Sequence, residues 1–123
     1  MRIELPADPT SAGLAREAVR TACKGLAVDL DSLMLCTSEL VTNAVLHGRP
    51  PIELVVAVDG PGVRISVCDA GDGTVRRRRP VTADTLSGRG LDIVEALASA
   101  WGSDATRSGT GTGKVTWFEM RTA

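Results

Sequence analysis

The chain has 123 residues, 43% of them hydrophobic and 24% charged, with a formal net charge of −1. These values fit a single domain spanning 1–123 with a real hydrophobic core. They exclude a general nucleic-acid binder, which would be clearly basic. No apolar run reaches the length of a bilayer span, and Met1-Arg2-Ile3-Glu4-Leu5-Pro6 lacks the apolar block of a signal peptide. Cytoplasm, with no membrane partner, is therefore the expected location. Cys23, Cys36 and Cys68 form no Cys-x-x-Cys pair and read as buried, reduced thiols.

In chain order, Arg2 to Leu5 alternates polar and apolar residues and predicts an edge strand ended by Pro6. Leu14, Ala18, Val19 and Ala22 give helical spacing over Thr10 to Lys24, with Thr10 or Ser11 as cap. A second helix is expected from Asp31 to His47, stopped by Gly48 and Pro50-Pro51. Ile52 to Val58 and Val63 to Cys68 are β-branched runs joined by Asp59-Gly60-Pro61-Gly62, a hairpin signal. Residues 70–89 read as a long loop, of the kind that serves as a lid or binding loop. Helical spacing returns from Leu91 to Ala100 through Leu91, Val94, Leu97 and Ala98, and strands are expected over Trp101–Thr106 and Lys114–Met120. The pattern is α+β: a two-layer sandwich of an antiparallel or mixed sheet with helices on one face.

Three segments carry chemistry. In Ser38-Glu-Leu-Val-Thr-Asn-Ala-Val-Leu-His-Gly48, the residues Glu39, Asn43 and His47 recur once per turn and stack along one helix face. Leu35, Cys36, Leu40, Ala44 and Val45 would anchor that helix in a core. A carboxylate, an amide and an imidazole projecting in a row from an otherwise buried helix need polar company, and metal-bound phosphate is one candidate. Taken by itself, the stripe fits an ordinary solvated helix face better.

Asp69-Ala70-Gly71-Asp72-Gly73 stands where a strand runs into the long loop. A carboxylate there can accept the exocyclic N–H of a purine, and the glycines admit a flat ligand close to the backbone. Alone, the segment reads better as a plain turn. Ser87-Gly88-Arg89-Gly90-Leu91 precedes the third expected helix, where free N–H groups and the helix dipole can face an anion, or where a loop simply ends in a cap at Ser87. Gly109-Thr110-Gly111-Thr112-Gly113-Lys114 imitates a P-loop, but Ser108 and Val115 break that pattern and a strand follows, so it reads as a glycine-rich hairpin.

Taken in order, a Glu-x-x-x-Asn helix, Asp-x-Gly-x-Gly and Gly-x-Gly-Leu resemble the N, G1 and G2 boxes of the GHKL ATPases: gyrase, heat-shock chaperone, histidine kinase and MutL. The wording of the first box, the short chain and the ending Lys114-Val-Thr-Trp-Phe-Glu-Met120 are most similar to the anti-sigma-factor serine/threonine kinase branch. The resemblance covers essentially the whole chain. It implies the Bergerat ATP-binding fold and ATP and Mg²⁺ as cofactors. Asn43 would supply an oxygen to Mg²⁺, and Glu39 would be the general base.

By the same resemblance, Asp69 would hold adenine, with Gly71 and Gly73 shaping its pocket. Gly88, Arg89, Gly90 and Leu91 would surround the phosphates, while His47 suits a cap or core role as well as ligand contact. Relatives place in the last strand a threonine that shares a water with the adenine-binding Asp; here Lys114 stands there, and Thr112 and Thr116 are the nearest hydroxyls, of which Thr116 is the candidate. Arg76 to Arg79 is either a solvated run or a phosphate- or acid-binding one.

The implied partners are a sigma factor, sequestered by this protein, and a small antagonist protein that it phosphorylates. A homodimer is also implied. Two other readings stand beside this one: a nucleotide-switched binding module without phosphotransfer, and the catalytic domain of a histidine kinase. The latter is disfavoured because the chain carries neither dimerisation helices nor a phospho-accepting histidine segment.

Overall fold

In a computed structural model, residues 1–71, 86–108 and 111–121 are described. The elements run β1 (Arg2–Leu5), α1 (Ser11–Ala22), α2 (Leu30–His47), β2 (Ile52–Asp59), β3 (Gly62–Asp69), α3 (Leu86–Leu97), β4 (Ala100–Ser108) and β5 (Gly111–Arg121). The five strands form one sheet in the order β1-β2-β3-β5-β4. Every pairing among them is antiparallel. This is the expected α+β two-layer architecture, with the sheet wholly antiparallel among the described strands.

Period-two alternation puts one side of each strand into the core. Ile52, Leu54 and Val56 of β2 are buried with Val63, Ile65 and Val67 of β3 and Phe118 and Met120 of β5. Ile65 lies opposite Phe118, and both are fully buried. The helices cover this face. On α2, Leu33, Leu40, Val41 and Ala44 recur at helical spacing and are buried, and on α1 so are Ala15 and Val19. The buried Thr37 hydroxyl donates to the Leu33 carbonyl at 2.8 Å, so no polar atom is stranded there.

Local signals explain the element ends. Asp29 caps α2, its carboxylate accepting from the backbone N–H groups of Asp31 and Ser32. Gly60, at φ +58°, takes the first central position of the β2–β3 turn, where a side chain would be strained. At α1 the expected cap does not form. Thr10 occupies the N-cap position, but its hydroxyl donates to Asp8, and the Ser11 hydroxyl turns back to the Pro6 carbonyl.

Three further expectations change. Helix α3 begins at Leu86, not Leu91, and ends at Leu97, not Ala100. Glycine weakens a helix by only about 1 kcal/mol, and the packing of Val94, fully buried, outweighs that. Gly88, Arg89 and Gly90 therefore lie within the helix and not in a loop before it. Leu35 and Leu97, expected in the core, are 42% and 41% exposed because each faces away from the neighbouring helix or sheet. Cys68 is only half-buried, since it points to the side of the sheet opposite the helices.

That outer side carries its own cluster. Arg64 stacks over Trp117 with its guanidinium carbon 4.0 Å from the ring centroid, and pairs with Glu119 at 3.3 Å. Gly102 lies beneath the same indole; a Cβ there would sit 2.7 Å from the ring. Among the described residues, no helix is long and apolar enough to cross a membrane.

Candidate nucleotide site

Glu39 and Asn43 project one turn apart from the middle of α2, and both are half-buried. Neither side chain makes a hydrogen bond to another described residue. Burial pushes the Glu39 carboxyl above its ordinary range. His47, one turn further, is exposed, so the core role is excluded. It lies in the last turn of α2, at the negative end of the helix dipole.

Asp69 ends β3 and is buried, its side chain 1% exposed. Its Oδ1 accepts the Gly71 backbone N–H at 2.7 Å, which folds the chain back over the carboxylate. The Ala70 N–H donates to the Arg49 carbonyl at 2.8 Å, tying this corner to the residues just after α2. Gly48 presses against the carboxylate itself. A Cβ built there would lie 2.5 Å from the Asp69 Cγ and 2.6 Å from Oδ2. The end of α2 and the end of β3 thus meet at Asp69, which places the Glu39–Asn43 helix and the carboxylate in one corner of the fold.

On β5, Lys114 is directly opposite Asp69 in the antiparallel register. Its Nζ lies 3.8 Å from Asp69 Oδ2, with the side chain 8% exposed. The position that the resemblance reserves for threonine therefore holds a buried ammonium facing the carboxylate. Thr116 shares the same inward face two residues along, opposite Val67. Its hydroxyl meets Ser103 Oγ at 3.1 Å and so is engaged by the neighbouring strand.

Gly73 and Arg76–Arg79 lie outside the described residues. Gly88, Arg89, Gly90 and Leu91 sit in the first turns of α3. The first four N–H groups of a helix lack intrahelical partners. From Leu86, that leaves the amide of Gly88 among the free N–H groups of the first turn, whereas those of Arg89 and Gly90 enter the helical ladder. The decoy lysine segment closes a hairpin, with Ser108 paired to Gly111, and builds no P-loop.

Sequence reasoning read Gly48 only as a helix stop and missed its contact with Asp69. Spacing along α2 held no hint of that contact, because it depends on β3 folding back against the helix end. The Ser103–Thr116 contact was missed for the same reason. Only the resemblance pointed to Lys114 beside Asp69; the register that sets the two opposite each other belongs to the sheet.

A histidine kinase-like ATPase domain model matches residues 5–119. The chain belongs to that family. Among solved structures, it is similar to the RsbU and RsbW domains of Rv1364c from Mycobacterium tuberculosis, with 25% identity and a TM-score of 0.68 over 98% of this chain. This chain spans 31% of the length of that one. The mycobacterial sensor histidine kinase MprB aligns at 16% identity and TM-score 0.57, covering 98% of this chain and 96% of its own. The catalytic domain of histidine kinase ThkA aligns at 15% and TM-score 0.60, covering 99% and 96%. These two likenesses concern the fold. No curated relative matches the sequence.

Proposed function

We propose that this protein binds ATP with Mg²⁺, phosphorylates a serine or threonine of a small antagonist protein, and sequesters a sigma factor, acting as a cytoplasmic homodimer. The observation that carries the reading is the corner where the Glu39–Asn43 helix meets Asp69 through Gly48. The wording of the first box and the likeness over 98% of the chain to a structure with an RsbW domain support the anti-sigma branch over the histidine kinases.

The donor set fits Mg²⁺ bound mainly through nucleotide. Among the described residues, no group of three His, Cys, Asp or Glu side chains is gathered to hold a metal by itself. Mg²⁺ takes few protein ligands and keeps water and phosphate oxygens, so a single amide oxygen from Asn43 suffices. The ion supplies charge neutralisation on the phosphates.

The remaining work belongs to side chains. Asp69 accepts one exocyclic N–H of the base, and the amides opening α3 meet phosphate oxygens. Glu39, held above the usual carboxylate range by burial, is matched to take the proton of the attacking hydroxyl. The substrate oxygen forms a bond to the γ-phosphorus as the bond to the β-phosphate oxygen breaks, leaving ADP. Incubation with γ-labelled ATP and the candidate antagonist tests this. Transfer of label to a serine or threonine supports it, while Mg-dependent ATP binding without transfer would make the protein a nucleotide-switched binding module.

A further inference from the structure

We propose that Lys114 reads the nucleotide base together with Asp69, donating to the ring nitrogen beside the amine that Asp69 accepts, and so selects adenine over guanine. This rests on the nucleotide-binding reading above and adds a residue to it.

The two groups form a buried donor–acceptor pair on adjacent strands. At 3.8 Å, Lys114 Nζ and Asp69 Oδ2 are close enough to attract but too far apart to share a hydrogen bond. Among the described residues the pair is therefore open: the ammonium keeps donors in hand, and Oδ2 keeps a lone pair. Oδ1 is committed to the Gly71 N–H at 2.7 Å. Gly48 crowds the carboxylate from the α2 side, leaving no room for a second ligand group there.

One carboxylate oxygen with one cation beside it matches one N–H next to one ring acceptor. Adenine offers that arrangement, N6–H beside N1. Guanine in the same pose reverses that order, setting its O6 acceptor against the Asp69 carboxylate and its N1–H donor against the Lys114 ammonium. A counter-ion role alone would place Lys114 next to Asp69 as well, but it predicts no dependence on the ring atom of the ligand.

The ring atom is therefore the test. Calorimetry on the full chain with Mg²⁺ would compare ATP, 1-deaza-ATP (a carbon in place of N1) and GTP. A hydrogen bond from a charged donor leads to the expectation that 1-deaza-ATP binds about tenfold more weakly than ATP, and GTP more weakly than ATP. In Lys114→Met, ATP affinity should fall about tenfold and become equal to that of 1-deaza-ATP. Wild-type protein that binds ATP and 1-deaza-ATP equally, or GTP as tightly as ATP, overturns this inference alone. Protein that binds none of the three overturns the nucleotide reading with it. If Lys114→Met fails to fold, as circular dichroism would show, the wild-type comparison decides.

Discussion

Gly48 lies directly against the Asp69 carboxylate, and a Cβ at that position would stand 2.5 Å from Cγ and 2.8 Å from the Ala44 carbonyl oxygen. Its φ of −95° is open to any residue, so the glycine is required by space and not by backbone conformation. Gly60 is the reverse case: its surroundings are empty, but its φ is +58°. One contact thus joins the helix carrying Glu39 and Asn43 to the carboxylate expected to hold the base.

Gly48→Ala should displace Asp69. Overpacking of this kind costs roughly 1–3 kcal/mol. Urea unfolding should report that loss, and calorimetry should show weaker ATP binding than for Gly60→Ala, which strains a distant turn. Equal ATP affinity in the two variants would sever Gly48 from the site.

Asn43→Ala should abolish Mg-dependent ATP binding, whereas Glu39→Ala should keep binding and lose phosphotransfer. Titration calorimetry with and without Mg²⁺, run beside the labelled-ATP assay, separates the two roles. Asn43→Ala with unchanged affinity in Mg²⁺ would remove it from the site.

Glu39 also gives a pH signature. Burial raises its folded pKa above the unfolded value, so protonation favours the fold. Its contribution is full below the unfolded carboxylate value of ~4.3, and is lost as pH rises through the raised folded value. Glu39→Gln should therefore be more stable than wild type at pH 7, with the difference closing as pH falls below that unfolded value. Thermal unfolding across pH checks it; a difference that grows toward acid would contradict the assignment.

The cysteines should differ in reactivity. Cys36 is fully buried, and burial, reinforced by the nearby Glu39 carboxylate, pushes its thiol up to about 11. Cys23 is buried and raised too. Cys68 sits half-buried on the outer side of the sheet. Treatment of native protein with a disulfide reagent at pH 8 should modify Cys68 first, and the other two only on unfolding.

Phe118→Ala should cost about 3–5 kcal/mol, because the ring is fully buried opposite Ile65 on the helix-covered face. Denaturant titration measures it. A loss under 1 kcal/mol would mean that the core closes over the gap.

Most of the fold was legible because its signals are local. The β2–β3 hairpin followed from β-branched runs around Asp59-Gly60-Pro61-Gly62, and α2 from apolar spacing and the stop at Gly48. The start of α3 was not legible, since Gly88 and Gly90 argue locally for a loop and only the burial of Val94 decides for helix. Exposure of Leu35 and Leu97 was hidden likewise: spacing identifies an apolar position without saying whether a neighbour covers it.

The sequence by itself determined the chemistry available: a carboxylate and an amide one turn apart on a helix, an Asp followed by glycine, and a lysine two residues before Thr116. Only the tertiary structure decided which of these meet. Strand register sets Lys114 against Asp69, and the return of β3 brings Gly48 beneath that carboxylate. These contacts join residues far apart in the chain, so their geometry is set by how sheet and helices pack and not by any local propensity.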